Sequence, residues 1–167
     1  MVLLLGSPLL ADEAAVDPAL VGQVEKLRKL GARITLDDRK RVVAVNLGER
    51  RVSDADLVHL KGLRDLQELD LTRTRITSAG LENIKELTAL RRLFLTETKV
   101  DGAGIAHLKG IKGLRLIGLS GTRIGDAGLE HLQEMTGLER VFCLDSGVSA
   151  DGVKRLQRAL PKCRITH

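Results

Sequence analysis

Residues 66–89 read LQELDLTRTRITSAGLENIKELTA, residues 90–113 LRRLFLTETKVDGAGIAHLKGIKG and residues 114–137 LRLIGLSGTRIGDAGLEHLQEMTG. They are three consecutive copies of one 24-residue unit. Leu66, Leu90 and Leu114 open the copies. Leu69, Leu93 and Ile117 hold the fourth position, and Leu71, Leu95 and Leu119 the sixth. Thr74, Thr98 and Thr122 stand ninth, and Ile76, Val100 and Ile124 eleventh. An Ala-Gly pair and three further aliphatic positions complete each unit. Self-similarity at a fixed period marks a stacked, quasi-one-dimensional fold in which each unit buries its apolar stripe against the next.

Two drifted copies flank these three. The first starts at Val42 and keeps Val45, Leu47, Val52, Ala55, Leu57, Leu60 and Leu63 in register, with Arg50 in place of Thr and Asp56 in place of Gly. The last starts at Leu138 and keeps Val141, Cys143, Ser146, Val148, Gly152, Val153 and Leu156. The unit LxxLxLxxTxIxxAGLxxLxxLxx resembles the leucine-rich repeat family, in the bacterial form that carries Thr where the family often has Asn or Cys. The resemblance covers residues 42–165. It implies an α/β solenoid, with a curved parallel sheet on the concave side and short helices on the convex side. It also implies a binding scaffold rather than a catalyst, without naming the ligand.

The chain has 167 residues, so one domain is expected. It is 43% hydrophobic yet only 1% aromatic, with two Phe and no Tyr or Trp, so the core must be aliphatic. The net charge of +5 is spread along the chain without a basic block, which argues against a nucleic-acid footprint of clustered cations and stacking rings. Cys143 and Cys163 are too few for a disulfide framework, though a single bond between them is conceivable if the chain end lies beside Cys143.

Residues 1–11 are apolar and too short to span a membrane, which takes about 20 residues. They look like the hydrophobic half of a secretory signal cut after Ala11, although no Lys or Arg precedes the run. A secreted, periplasmic or envelope protein is therefore expected, with a cytoplasmic one as the alternative. Residues 12–41 read as a cap. Asp17 and Pro18 suit a helix start, Leu20, Val24, Leu27 and Leu30 line one face, and Gly31 suits its end. Residues 33–36 then alternate as one arm of a hairpin whose other arm begins at Val42.

Within the unit, positions four and six point into the core from a strand, because strand side chains alternate. Five such strands predict a parallel sheet about 20 Å wide. Pro161 is expected to end the last helix, and Cys163 with Ile165 reads as a closing half-strand. Position twelve reads Ser53, Thr77, Asp101, Gly125 and Ser149, four of them good N-caps for a short helix. Gly80, Gly104, Gly128 and Gly152 follow in its first turn, where a close approach of helix to sheet is expected to exclude a Cβ.

Position five points out of the concave face and reads Asn46, Asp70, Phe94, Gly118 and Phe142. Both Phe of the protein stand there, two strands or about 10 Å apart, with Gly118 expected to leave a gap between the rings. Position three reads Ala44, Glu68, Arg92, Leu116 and Arg140, and position seven ends in Leu144. Phe94, Phe142, Leu116 and Leu144 beside Arg92 and Arg140 have the composition of an interface hot spot, next to an acidic patch of Glu68 and Asp70. Scattered exposed apolar residues are also common without function.

Arg51, Arg75, Lys99 and Arg123 form a basic column on one rim, suited to an acidic partner or anionic glycan, or else a solvated edge. His107 and His131 occupy one helix-face position in adjacent units, without the carboxylate or thiolate company a zinc site needs. No nucleophile–base spacing, phosphate loop or cofactor motif is present, so neither catalysis nor a cofactor is expected. The expected function is a non-catalytic scaffold for a protein or peptide. The alternatives are a structural envelope protein without a specific ligand, or a module resembling the repeats of ubiquitin-ligase substrate receptors.

Overall fold

The computed structural model describes residues 16–167. The expected signal segment, residues 1–11, lies outside them. Asp17 opens the first turn, its carboxylate accepting from the Ala19 N–H at 2.9 Å. Helix α1 (Val21–Lys29) begins one turn later than the Asp17-Pro18 pair suggests, because that pair caps the lead-in turn and not the helix itself. The end of α1 falls as expected. Gly31, at φ 85°, donates to the Arg28 carbonyl and Ala32 to that of Leu27, the crossed pair of bonds that closes a helix on a left-handed glycine.

Strand β1 (Arg33–Leu36) runs antiparallel to β2 (Val42–Asn46), with Ile34 opposite Val45. Asp37 closes the hairpin by accepting from the N–H groups of Arg39 and Arg41 and from the Arg41 guanidinium. From β2 onward every pairing is parallel and sequential: β3 (Glu68–Asp70), β4 (Arg92–Phe94), β5 (Leu116–Gly118), β6 (Arg140–Phe142) and β7 (Arg164–Thr166). The closing half-strand is thus the sixth parallel strand of a seven-stranded sheet. Every unit is in register, so that Leu69, Leu93, Ile117, Val141 and Ile165 form one row.

The core is the aliphatic stripe. In the central unit Leu90, Leu93, Leu95, Val100, Ile105, Leu108 and Ile111 are all fully buried, and each such side chain contributes roughly 1.5–3 kcal/mol. Where the chain leaves the strand, the residue at position eight takes positive φ in five units: Glu49, Arg73, Glu97, Gly121 and Asp145. The hydroxyl at position nine then closes the turn. Thr74 donates to the Leu71 carbonyl at 2.6 Å and Thr98 to that of Leu95 at 2.7 Å. Thr122 and Ser146 repeat the bond to Leu119 and Cys143.

The opposite side carries 3-10 helices over Asp54–Leu60 and Ser78–Ile84, then α2 (Gly102–Ile105) extended by a 3-10 turn, α3 (Gly125–Leu132) and α4 (Ala150–Ala159). Position twelve caps them as its composition predicts: Thr77 accepts from Ala79, Asp101 from Gly104, Ser149 from Gly152, and Ser53 forms a reciprocal box with Asp56. Position thirteen adds a clasp between coils. Both the N–H and the hydroxyl of Thr77 donate to Asp54, and those of Ser149 donate to Asp126. Ser78 donates to Asp101 at 2.6 Å in the same place.

The Ala-Gly glycines serve a different contact from the one expected. A Cβ on Gly80 would stand 2.4 Å from the Asp54 carboxylate, one on Gly104 2.8 Å from Ser78 Cβ, and one on Gly152 2.2 Å from Asp126. The close approach is of each helix to the clasp of the preceding coil, not to the sheet. Between the third and fourth units the clasp residues are both glycine, Gly102 and Gly125, and backbone meets backbone there. A Cβ on Gly102 would lie 2.7 Å from the Ile124 carbonyl oxygen.

Candidate functional site: the concave sheet face

The short strands place positions three and five on the outer face, because position four is committed to the core. Phe94 and Phe142 are half-buried on this face, two strands apart, with Leu116 half-buried between them on β5. Leu144 is 46% exposed, one of two large apolar side chains so open among the described residues. Strand pairing thus sets Phe94, Leu116 and Phe142 on one face, and Leu144 follows in the turn after β6.

Three features differ from the sequence reading. Gly118 leaves no open slot, because the Phe94 ring leans across it: Phe94 Cδ1 is 3.3 Å from where a Gly118 Cβ would be, and Gly118 is buried. The acidic patch is spent internally. Glu68 pairs with Arg92, while Asp70 accepts from the Asn46 amide and the Thr72 N–H, both at 2.9 Å. Arg92 is therefore already paired, whereas Arg140 has no carboxylate partner among the described residues.

The rim at position eight carries a ladder the sequence did not disclose. Arg73 donates twice to Glu97 at 2.9 Å and reaches Glu49 at 3.2 Å. The Arg73 hydrogen bonds hold the Glu97 carboxyl below its ordinary range, and the two glutamates push the Arg73 guanidinium up. The basic column two positions on, Arg51, Arg75, Lys99 and Arg123, is exposed along its length.

Residues outside the sequence-derived set complete the face. A hollow of about 210 Å³ lies at the start of the strands, lined by Gln67, Arg91, Arg92, Arg115, Leu116, Glu139 and Arg140. Next to it, a hollow of about 220 Å³ is lined by Arg140, Phe142, Arg164 and Thr166. The signal for Arg91, Arg115 and Glu139 was present at position two, which precedes the strand. The signal for Arg164 and Thr166 required counting the closing half-strand as a full one. A larger hollow of about 850 Å³ opens on the helical side, where Lys61, Arg64 and Lys85 alternate with Glu82 and Glu86, without an aromatic.

His59, His107 and His131 are half-buried on the helical side, and no group of three metal-ligating side chains occurs among the described residues. Cys143 and Cys163 are both free thiols and buried; Cys143 bonds toward the Thr166 carbonyl, so the conceivable disulfide is not formed. Burial pushes the Cys143 thiol up to about 11. No described helix is long and apolar enough to cross a membrane.

No family model matches the sequence, and no curated protein matches it. Solved structures do. PEPR1, in the crystal structure of PEPR1–AtPEP1, superposes with a TM-score of 0.53 at 19% identity over 80% of this chain. A leucine-rich repeat protein of Leptospira interrogans superposes with a TM-score of 0.54 at 18% identity over 77%. The chain spans 19% of the former and 38% of the latter. At these identities the likeness is one of fold. With the stacked parallel strands, the aliphatic stripe and the helical back, it establishes the chain's architecture as a leucine-rich repeat solenoid.

Proposed function

We propose that the chain is a non-catalytic scaffold whose concave sheet face grips a protein or peptide partner. The observation that carries this reading is Phe94, Leu116 and Phe142 on the outer face of three adjacent strands, with Leu144 exposed just beyond, in a protein that has only two aromatic residues. A solenoid has no need of Phe on its outer face, since the stacked aliphatic rows supply its stability. Large rigid side chains on a partly desolvated surface are the usual anchors of binding energy. The solved complex of PEPR1 with AtPEP1 supports the reading, as a structure of the same architecture that carries a partner. The units are assigned to the bacterial 24-residue type by their Thr column, and residues 1–11 favour a setting outside the cytoplasm.

The test is Phe94→Ala combined with Phe142→Ala. The pair should abolish partner capture while the melting temperature stays within a few degrees, since neither ring belongs to the buried stripe. Capture that survives the double substitution would refute the scaffold reading.

A further inference from the structure

The position-three residues Arg92, Leu116, Arg140 and Arg164 are paired strand to strand. Arg91 and Arg115 flank them one residue earlier, and all five arginines are exposed. Two of the five are neutralised on the surface itself, Arg92 by Glu68 and Arg115 by Glu139. Arg91, Arg140 and Arg164 have no carboxylate partner among the described residues. Arg140 and Arg164 are moreover direct cross-strand neighbours, about 5 Å apart by strand spacing. Like charges opposite each other on a sheet oppose folding. Nothing within the described fold offsets this pair, and both guanidiniums border the same hollow as Phe142.

Resting on the scaffold reading, we infer that the partner segment is acidic: Asp or Glu carboxylates seat between Arg140, Arg164 and Arg91, and adjacent apolar side chains lie against Leu116, Phe142 and Leu144. A guanidinium presents a planar fork of donors that matches a carboxylate, and a charge-assisted pair of this kind is stronger than a neutral hydrogen bond. The chain's overall charge of +5 would draw such a segment toward the protein, and the arginines without carboxylate partners would hold it at the face. The mixed-sign hollow on the helical side offers no comparable preference.

The experiment is selection of a random 12-residue peptide library displayed on phage against the purified chain in low salt. The strongest clone is then synthesised in its native form and with every Asp and Glu changed to Asn and Gln. Selected sequences should be rich in Asp and Glu with interspersed apolar residues. The amide version should bind at least tenfold more weakly. Arg140→Gln with Arg164→Gln should cost the native peptide roughly tenfold and flatten its salt dependence, whereas Arg123→Gln on the rim should change nothing. Circular dichroism of the double variant checks that it folds. Enrichment of peptides without acidic residues, lost on Phe94→Ala with Phe142→Ala, would overturn the acidic partner and leave the scaffold standing. Selection that enriches nothing would overturn both.

Discussion

The Phe94 ring covers Gly118 on the neighbouring strand, its Cδ1 3.3 Å from the place a Gly118 Cβ would occupy. The glycine thus serves as a seat for the aromatic ring. Two consequences are measurable. The ring current should shift the Gly118 α-protons, and Phe94→Leu should remove that shift. Gly118→Ala should swing the ring outward while leaving the melting temperature within a few degrees, because the crowded atoms are ends of side chains, Phe94 Cδ1 and Thr96 Oγ1. Unchanged Gly118 proton shifts in Phe94→Leu would show that the ring lies elsewhere.

Gly102 is where backbone approaches backbone most closely between coils, since a Cβ there would meet the Ile124 carbonyl oxygen at 2.7 Å and the Gly128 nitrogen at 2.9 Å. Backbone cannot swing aside as a side chain can. Gly102→Ala should therefore cost at least 1–3 kcal/mol, on the order of an overpacked core substitution. Gly22 is the control: it is helical, exposed and has nothing within 4 Å of its Cβ site. Gly22→Ala should stabilise the chain by roughly 0.5–1 kcal/mol. Urea denaturation of the two variants decides the matter, and equal midpoints would contradict the close approach.

Most of the fold was legible because the repeat imposes its own consistency. Leu93 had one reading, since Leu69 and Ile117 stand in the same slot on either side. The caps at Thr77, Asp101 and Ser149 were legible for the same reason. The clasp was not. Asp54, Ser78 and Asp126 share a column with Gly102 and Ala150, so no residue type recurs there, and the contact runs to the next coil. On the concave face, the composition at positions three and five named the residues but not their pairings. Glu68 and Arg92 are 24 residues apart, and only the parallel register makes them neighbours.

The clasp also ties stability to acid. Hydrogen bonds from Ser149, and then Arg155, hold the Asp126 carboxyl below its ordinary 3.8, and Ser78 does the same for Asp101. A carboxyl whose folded pKa is depressed binds fewer protons folded than unfolded. Its contribution is present above the unfolded value and is lost as pH falls through the folded one. The urea midpoint should therefore hold from pH 7 to about 5 and drop below about 4. Asp126→Asn should lower the midpoint at neutral pH and shrink the acid drop. A variant that tracks the parent at every pH would exclude the clasp.

Thr98 tests the turn. Its hydroxyl donates to the Leu95 carbonyl at 2.7 Å, inside a buried column. The Thr98 N–H reaches the same oxygen only at 3.3 Å, so the hydroxyl is the better partner. Thr98→Val keeps the shape and removes the donor, and should cost about 1–3 kcal/mol. Thr98→Ser should recover most of the loss. Denaturation curves for Val and Ser that coincide would assign the effect to packing.

Cys143 and Cys163 give the last measurement. Both are buried, at 1% and 3% exposure, and Cys143 fills the slot where the three central units place Leu71, Leu95 and Leu119. Burial raises the Cys143 thiol from 9.0 to about 11, so the folded chain holds its proton more tightly than the unfolded chain does. The linked stability is complete below pH 9 and drains away as pH rises toward 11. Two outcomes follow. A disulfide-exchange reagent at pH 8 should find both thiols almost unreactive in the folded protein and both reactive in guanidinium, because only the exposed thiolate attacks. The urea midpoint should fall between pH 9 and 11, and Cys143→Val should remove part of that fall. Rapid labelling of the native chain would mean that the C-terminal coil opens far more readily than its packing implies.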